Sequence, residues 1–292
     1  MELVPLGPGF GVEVKGVSML DVASDADAYK AVRAAFEEHS LLVFRDQPIA
    51  DDIQVAYSRA FGPLELTKVA SLGSGGFYSR LTNLDENGEI VPPDHRQVLV
   101  AKANALWHTD SSFKKTPALA SVLTARVLPG QDGDTEFTST RLAWERLPAE
   151  LQGRLKDAVA THSYANSRDQ IHPDLATEVE RKALPPVRWR LNWRNPSNDR
   201  RALYVASHAY AIDGMDDRDA RQLLARLLDE ATRHEFVYSH KWRQGDAVMW
   251  DNRAMLHRGR PWDYAEERTM VRTTISATDA DGLNEVKPPV LH

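Results

Sequence analysis

The chain has 292 residues, enough for one large domain or two small ones with a substantial core. With 42 Asp and Glu against 36 Lys and Arg and no run of like charge, it lacks the basic face that general nucleic-acid or membrane-surface binding needs. The absence of cysteine excludes a disulfide scaffold, a thiolate zinc site, an iron–sulfur cluster and a cysteine nucleophile.

The start of the chain has no basic region followed by an apolar run, and no stretch is long and apolar enough to span a bilayer, so a soluble cytoplasmic protein is expected. No linker rich in Pro, Gly or Ser divides residues 1–292, which predicts a single domain. Gly9 to Val17 alternate loosely and predict an edge strand or hairpin. Ser24 is placed to cap a helix through about His39, with Ala28, Val32, Ala35 and Phe36 on one face. Leu41 to Phe44 reads as a buried strand. A second helix from about Asp51 carries Ile53, Ala56, Tyr57 and Phe61 inward and stops at Gly62-Pro63.

From Leu64 to Val100 no period is sustained, and the glycines of Gly73-Ser74-Gly75-Gly76 mark the stretch around 66–100 as an expected mobile active-site loop. Lys68, ahead of those glycines, is a candidate contact for an anionic substrate. Leu119 to Val127 predicts a strand. Gly133-Asp134 looks like the turn into another, with the Thr135 hydroxyl aimed inward. Two helices are expected at Thr140 to Leu147 and Pro148 to Val159, whereas Ser163 to Trp193 yields no assignment. Arg201 to His208 resembles a strand ending in a histidine. Asp216 to Thr232 is the clearest helix, with Leu223, Leu224, Leu227, Leu228 and Ala231 in one apolar stripe. Phe236 to Trp242, Ala247 to Trp250 and Arg268 to Ile275 predict strands, and residues 280–292 a loose tail. Strands outnumber helices in the second half without strand–helix alternation, so the expected fold is mainly β with flanking helices around a barrel or jelly-roll core.

The chemistry centres on Trp107-His108-Thr109-Asp110. An imidazole and a carboxylate two residues apart on extended backbone point the same way and can share a metal. His172-Pro173-Asp174 has the same spacing, so the motif alone decides little; the stretch from Trp250 to His257 supplies a third ligand far downstream. Two histidines and one carboxylate on one face leave positions open for a cosubstrate and oxygen, which suits ferrous iron. Arg268 and Arg272, four residues apart on a predicted strand, project to one face, and a buried guanidinium fork calls for a carboxylate partner.

Together these motifs resemble the Fe(II)/2-oxoglutarate-dependent dioxygenases of the taurine dioxygenase type, and more narrowly the 2,4-dichlorophenoxyacetate (aryloxyalkanoate) dioxygenases. The resemblance rests on Leu41 to Gln47, Phe61 to Glu65, Leu106 to Phe113, Gly133 to Phe137 and the run from Phe236 through Ile275. It implies a double-stranded β-helix (jelly roll) core, with His108, Asp110 and His257 on Fe(II) as metal ligands and catalytic residues. It further implies Thr135 and Arg268 on the 2-oxoglutarate C5 carboxylate, Arg272 on the substrate's anionic head, and His208 near the substrate. O2 is the third reactant. The implied reaction hydroxylates the carbon next to an aryl ether oxygen and yields a phenol, a 2-oxoacid, succinate and CO2. A small anionic organic substrate and a homo-oligomer complete that picture. Asp132 departs from the family, which more often has glycine there.

Three other readings compete. A taurine, alkylsulfonate or alkyl-sulfate dioxygenase of the same fold would use the same arginine, because either anion fits it. A binding or structural jelly-roll protein would hold its histidines as satisfied core residues, and a zinc hydrolase would use the same three ligands for different chemistry.

Overall fold

A computed structural model describes residues 1–48, 50–67 and 75–289. Its frame is a seven-stranded sheet in the order Glu2–Pro5, Val12–Lys15, Leu41–Phe44, Ala247–Asp251, Ala118–Val127, Thr269–Ser276 and Ser79–Thr82. Among the described residues only the Val12–Lys15 pairing with Leu41–Phe44 is parallel. A three-stranded antiparallel sheet, Val237–His240, Thr135–Ser139 and Met255–Gly259, carries residues that pack against it.

The period of two along each strand decides which layer a side chain enters. Leu42, Phe44 and Met249 join Phe36, Tyr57 and Phe61 in a cluster beneath the helices. Their neighbours Leu41, Val43, Val248 and Trp250 turn the other way, onto Phe137 and Met255 of the small sheet. Phe137 and Trp250 meet with ring centroids 5.5 Å apart. Burying each of these side chains contributes about 1.5–3 kcal/mol, so the strands are held from both faces. Among the described residues, no helix is long and apolar enough to cross a membrane.

The helix expected from Ser24 through about His39 is Ala26–His39, capped one residue later by Asp25, whose carboxylate accepts from the Asp27 and Ala28 amides, and a separate short helix, Met19–Ser24, precedes it. Helix Asp51–Phe61 buries Gln54, Tyr57, Ser58 and Phe61, while Ile53 is half-buried and Ala56 exposed. Polar side chains take the inner face there for a reason: Gln54 donates to the Val122 and Val271 carbonyls, and Ser58 bonds Thr273. Helix Asp217–Ala231 matches its expected span.

The stretch 66–100 is not loop throughout. Strand Ser79–Thr82 pairs with Thr269–Arg272, and helix Arg96–Ala103 begins inside it. Neither has a run long enough for periodicity to register. Residues 68–74, including Lys68 and the first two of the four Gly73–Gly76 positions, lie outside the described residues. The unassigned region from Ser163 to Trp193 holds helices Tyr164–Asp169 and Glu178–Ala183 and strands Val187–Arg190 and Asn192–Arg194. Ahead of it, the second of the two expected helices ends early, at Leu155, where strand Val159–His162 follows. The tail expected to be loose is instead folded from Asp279 to Val286, because Leu283 and Val286 are buried and the Asp281 carbonyl accepts from Trp193 Nε1.

Candidate metal centre and its cavity

His108 and His257, 149 positions apart, are direct cross-strand partners: each amide donates to the other's carbonyl, at 3.0 and 2.9 Å. That narrow bridge brings the two imidazoles to a centroid separation of 4.1 Å. Asp110, two residues beyond His108, completes the group, and one ligand atom from each of the three lies within 4.8 Å of the others. All three are buried.

The carboxylate is fixed by groups that spacing alone did not reveal. Ser121 Oγ donates to Asp110 Oδ2 at 2.7 Å, and Arg272 Nη1 to Oδ1 at 2.8 Å. Asn252 holds the backbone alongside, its Oδ1 accepting from the Asp110 amide and from Trp250 Nε1 while its Nδ2 donates to Ser121. Asn252 lies within the stretch from Trp250 to His257, but as an amide among ionisable neighbours it gives no sequence signal of this role. Burial raises the Asp110 carboxyl, yet Arg272, His257, His108 and Ser121 outweigh it and hold the group well below the usual carboxylate range.

The histidines are suited to donate lone pairs. Burial pushes the pKa of both down, so both rings are neutral at pH 7. His108 Nδ1 lies 2.7 Å from the Leu106 carbonyl, which makes Nδ1 the protonated nitrogen and leaves Nε2 free. His257 Nε2 stands 3.7 Å from Asp110 Oδ2. A neutral-imidazole and carboxylate set of this kind fits a divalent transition metal such as ferrous iron.

Arg268 and Arg272 both line the cavity beside the three ligands. Arg268 sits just ahead of strand Thr269–Ser276 rather than within it. Its Nη2 donates to the Gly133 carbonyl, but its buried Nε has no partner, and burial pulls its pKa down to about 10. Gly133, at φ +73°, leaves room for it: a Cβ there would stand 3.1 Å from Arg268 Nε. Asp132 has φ 62°, so the turn uses left-handed backbone at both positions and tolerates the departure from glycine. Thr135 lines the same cavity, and its hydroxyl accepts from Trp242 Nε1 at 3.0 Å, a second residue that sequence reasoning missed.

The cavity has a volume of about 680 Å³. His208 reaches it from a turn before strand Ala209–Ile212, not from the end of a strand, since regular pairing stops at Leu203. Its Nδ1 lies 3.3 Å from Ser112 Oγ, its Nε2 has no partner, and its ring packs on Phe113 at 4.9 Å. The competing His172-Pro173-Asp174 motif is exposed, with both side chains facing solvent.

A buried His-Asp-His face, next to an arginine that has no carboxylate partner among the described residues, offers a ligand set that could hold one metal ion and a cation that could meet an anionic ligand. The chain belongs to the taurine catabolism dioxygenase TauD, TfdA family, whose model matches residues 2–274. It is 39% identical over 275 residues to the alpha-ketoglutarate-dependent 2,4-dichlorophenoxyacetate dioxygenase of Cupriavidus pinatubonensis, covering 92% of this chain and 96% of that one. It is 33% identical over 287 residues to the (S)-phenoxypropionate/alpha-ketoglutarate-dioxygenase of Sphingobium herbicidovorans, covering 96% of each. The crystal structure of AAD-2 in complex with Mn(II) and N-oxalylglycine superposes with a TM-score of 0.87 at 35% identity, over 95% of this chain and 98% of that one.

Proposed function

We propose that this protein is an Fe(II)- and 2-oxoglutarate-dependent dioxygenase that hydroxylates the carbon next to the ether oxygen of aryloxyalkanoates such as 2,4-dichlorophenoxyacetate. The observation that carries the proposal is the His108, Asp110, His257 triad opening onto the same cavity as the unpaired Arg268. His108 Nε2, His257 and Asp110 would hold the metal. Arg268 and Thr135 would receive the distal carboxylate of 2-oxoglutarate, and Arg272 would face the substrate's anionic head, with His208 beside it.

When bound, ferrous iron and 2-oxoglutarate supply oxidation of a C–H bond by O2, with succinate and CO2 as coproducts. The chain's own part is orientation. Asp110 is fixed by Ser121 and Arg272, so the ligand face is set before any ligand arrives. Phe113, Tyr164 and Trp250 give the cavity apolar walls that match an aryl ring and exclude water. A hydroxyl on the ether carbon makes a hemiacetal, which breaks down to a phenol and a 2-oxoacid. The two sheets, sharing the cluster around Phe137 and Trp250, would form the jelly-roll core of one domain. The same reading includes a cytoplasmic homo-oligomer, checked by cell fractionation and by light scattering.

The test is phenol release from phenoxyacetate and 2,4-dichlorophenoxyacetate, dependent on both ferrous iron and 2-oxoglutarate. Succinate formation with taurine or an alkyl sulfate, and with no aryloxy acid, would defeat the aryloxyalkanoate assignment. Restoration of a chelated sample by zinc but not by ferrous iron would defeat the dioxygenase assignment.

A further inference from the structure

Among the described residues seven Lys and Arg side chains line the cavity, and their ion pairs divide them sharply. Arg80 pairs with Asp51, Arg96 with Glu180, Lys114 with Glu65, Arg260 with Glu136 and Arg272 with Asp110. Among the described residues, Arg168 and Arg268 have no carboxylate partner within the cavity's walls. Arg268 is the cation proposed to receive 2-oxoglutarate. Among the described residues that leaves Arg168 as a cation without a counter-ion, facing a cavity that takes a second anion in the proposed reaction.

We propose that Arg168 binds the carboxylate of the organic substrate, sharing it with Arg272. The position of Arg168 supports this. It closes helix Tyr164–Asp169, with its guanidinium 4.8 Å from the Tyr164 ring centroid. Tyr164 packs on Phe113 at 5.1 Å, Phe113 on His208 at 4.9 Å, and His208 on His108 at 6.3 Å, so an aromatic wall runs from Arg168 to the metal ligands. Arg168 Nε is buried without a hydrogen-bond partner, an expensive state for a guanidinium unless a ligand completes it.

Arg272 is less free to act alone. One of its terminal nitrogens is bonded to Asp110, whose ionised state offsets its charge, so a second cation is needed to compensate an incoming carboxylate fully. An aryloxy acid bridging the two arginines would lay its ring against Phe113 and Tyr164 and its ether carbon toward the triad. Arg168 thereby acts as a specificity residue for acids over neutral aryl ethers.

This inference rests on the proposed aryloxyalkanoate activity, and the experiment separates the two. Arg168→Gln and Arg168→Lys are compared with the wild-type holoenzyme on phenoxyacetate and on its neutral amide. Arg168→Gln is expected to raise KM for phenoxyacetate roughly ten- to hundredfold while KM for 2-oxoglutarate and KM for the amide stay put, and Arg168→Lys to recover part of the loss. Phenoxyacetate binding to metal-free protein, followed by tryptophan fluorescence, is expected to weaken in parallel. An equal rise for acid and amide would assign Arg168 a structural role and overturn the proposal, as would no rise for either. Failure of the wild type to turn over any aryloxy acid would instead count against the activity itself, and the metal-free binding comparison would still decide the role of Arg168.

Discussion

Asp110 Oδ1 accepts a hydrogen bond from Arg272 Nη1 at 2.8 Å, joining the carboxylate of the candidate metal-binding face to a strand 162 residues further along. The contact lets one carboxylate serve two directions, with Oδ2 toward His257 and Oδ1 toward the guanidinium. Asp110→Asn preserves the shape and removes the charge. Affinity for Mn(II) or Co(II), measured by equilibrium dialysis, is expected to fall by at least roughly a hundredfold, with near-UV circular dichroism unchanged. Wild-type affinity in that variant would remove Asp110 from the ligand set.

Trp242 presents its indole N–H to the Thr135 hydroxyl, and so orients a side chain proposed to meet 2-oxoglutarate. Trp242→Phe keeps most of the packing and drops the donor. KM for 2-oxoglutarate should rise about two- to tenfold with little change in KM for the aryloxy acid. Equal effects on both would point to general loosening of the cavity.

Arg253 is fully buried and donates to Asp251 and Glu37; the other cation near Asp251, Arg141, stands 3.9 Å away, whereas Glu37 also pairs with Arg33 at 2.6 Å. Replacing it with methionine leaves the buried Asp251 carboxylate without a close cation and Glu37 with Arg33 alone, at a cost of about 3–5 kcal/mol. Urea denaturation reads this directly. A shift below 1 kcal/mol, taken as roughly the value of an exposed pair, would show that the network is solvated.

His162 is buried with neither ring nitrogen hydrogen-bonded, stacked on Tyr204 at 5.6 Å, and burial pulls its pKa down to about 3. Because the unfolded chain takes up this proton near pH 6.5 and the folded one only near pH 3, the contribution to stability is full above pH 6.5 and declines as pH falls toward 3. Within that window the slope approaches about 1.4 kcal/mol per pH unit. His162→Phe keeps the stacking and removes the titration, so its thermal midpoint should fall less than the wild type's between pH 7 and pH 4.5. Parallel acid profiles for the two proteins would rule out His162 as a source of acid sensitivity.

The ligand types, the arginine pair and most of the strands could be read from the chain itself. Extended backbone has a short period, so His108 and Asp110 share a direction wherever that segment sits, and runs such as Leu41 to Phe44 declare themselves by composition. Strand Ser79–Thr82 and helix Tyr164–Asp169 were not legible, because four to six residues are too few to display a period.

Pairing was decided only by the tertiary structure. Whether an arginine is compensated depends on residues brought next to it by folding: Arg272 on Asp110, Arg96 on Glu180, Arg168 on no acid among the described residues. Asn252, Ser121 and Trp242 gain their roles the same way, as neutral groups whose hydrogen bonds span from about ten to more than a hundred positions. Electrostatic and hydrogen-bond energies depend on distance through space, and sequence separation does not fix that distance. The amino-acid order therefore determined which chemistry was available, and the fold determined which charges were left free to use it.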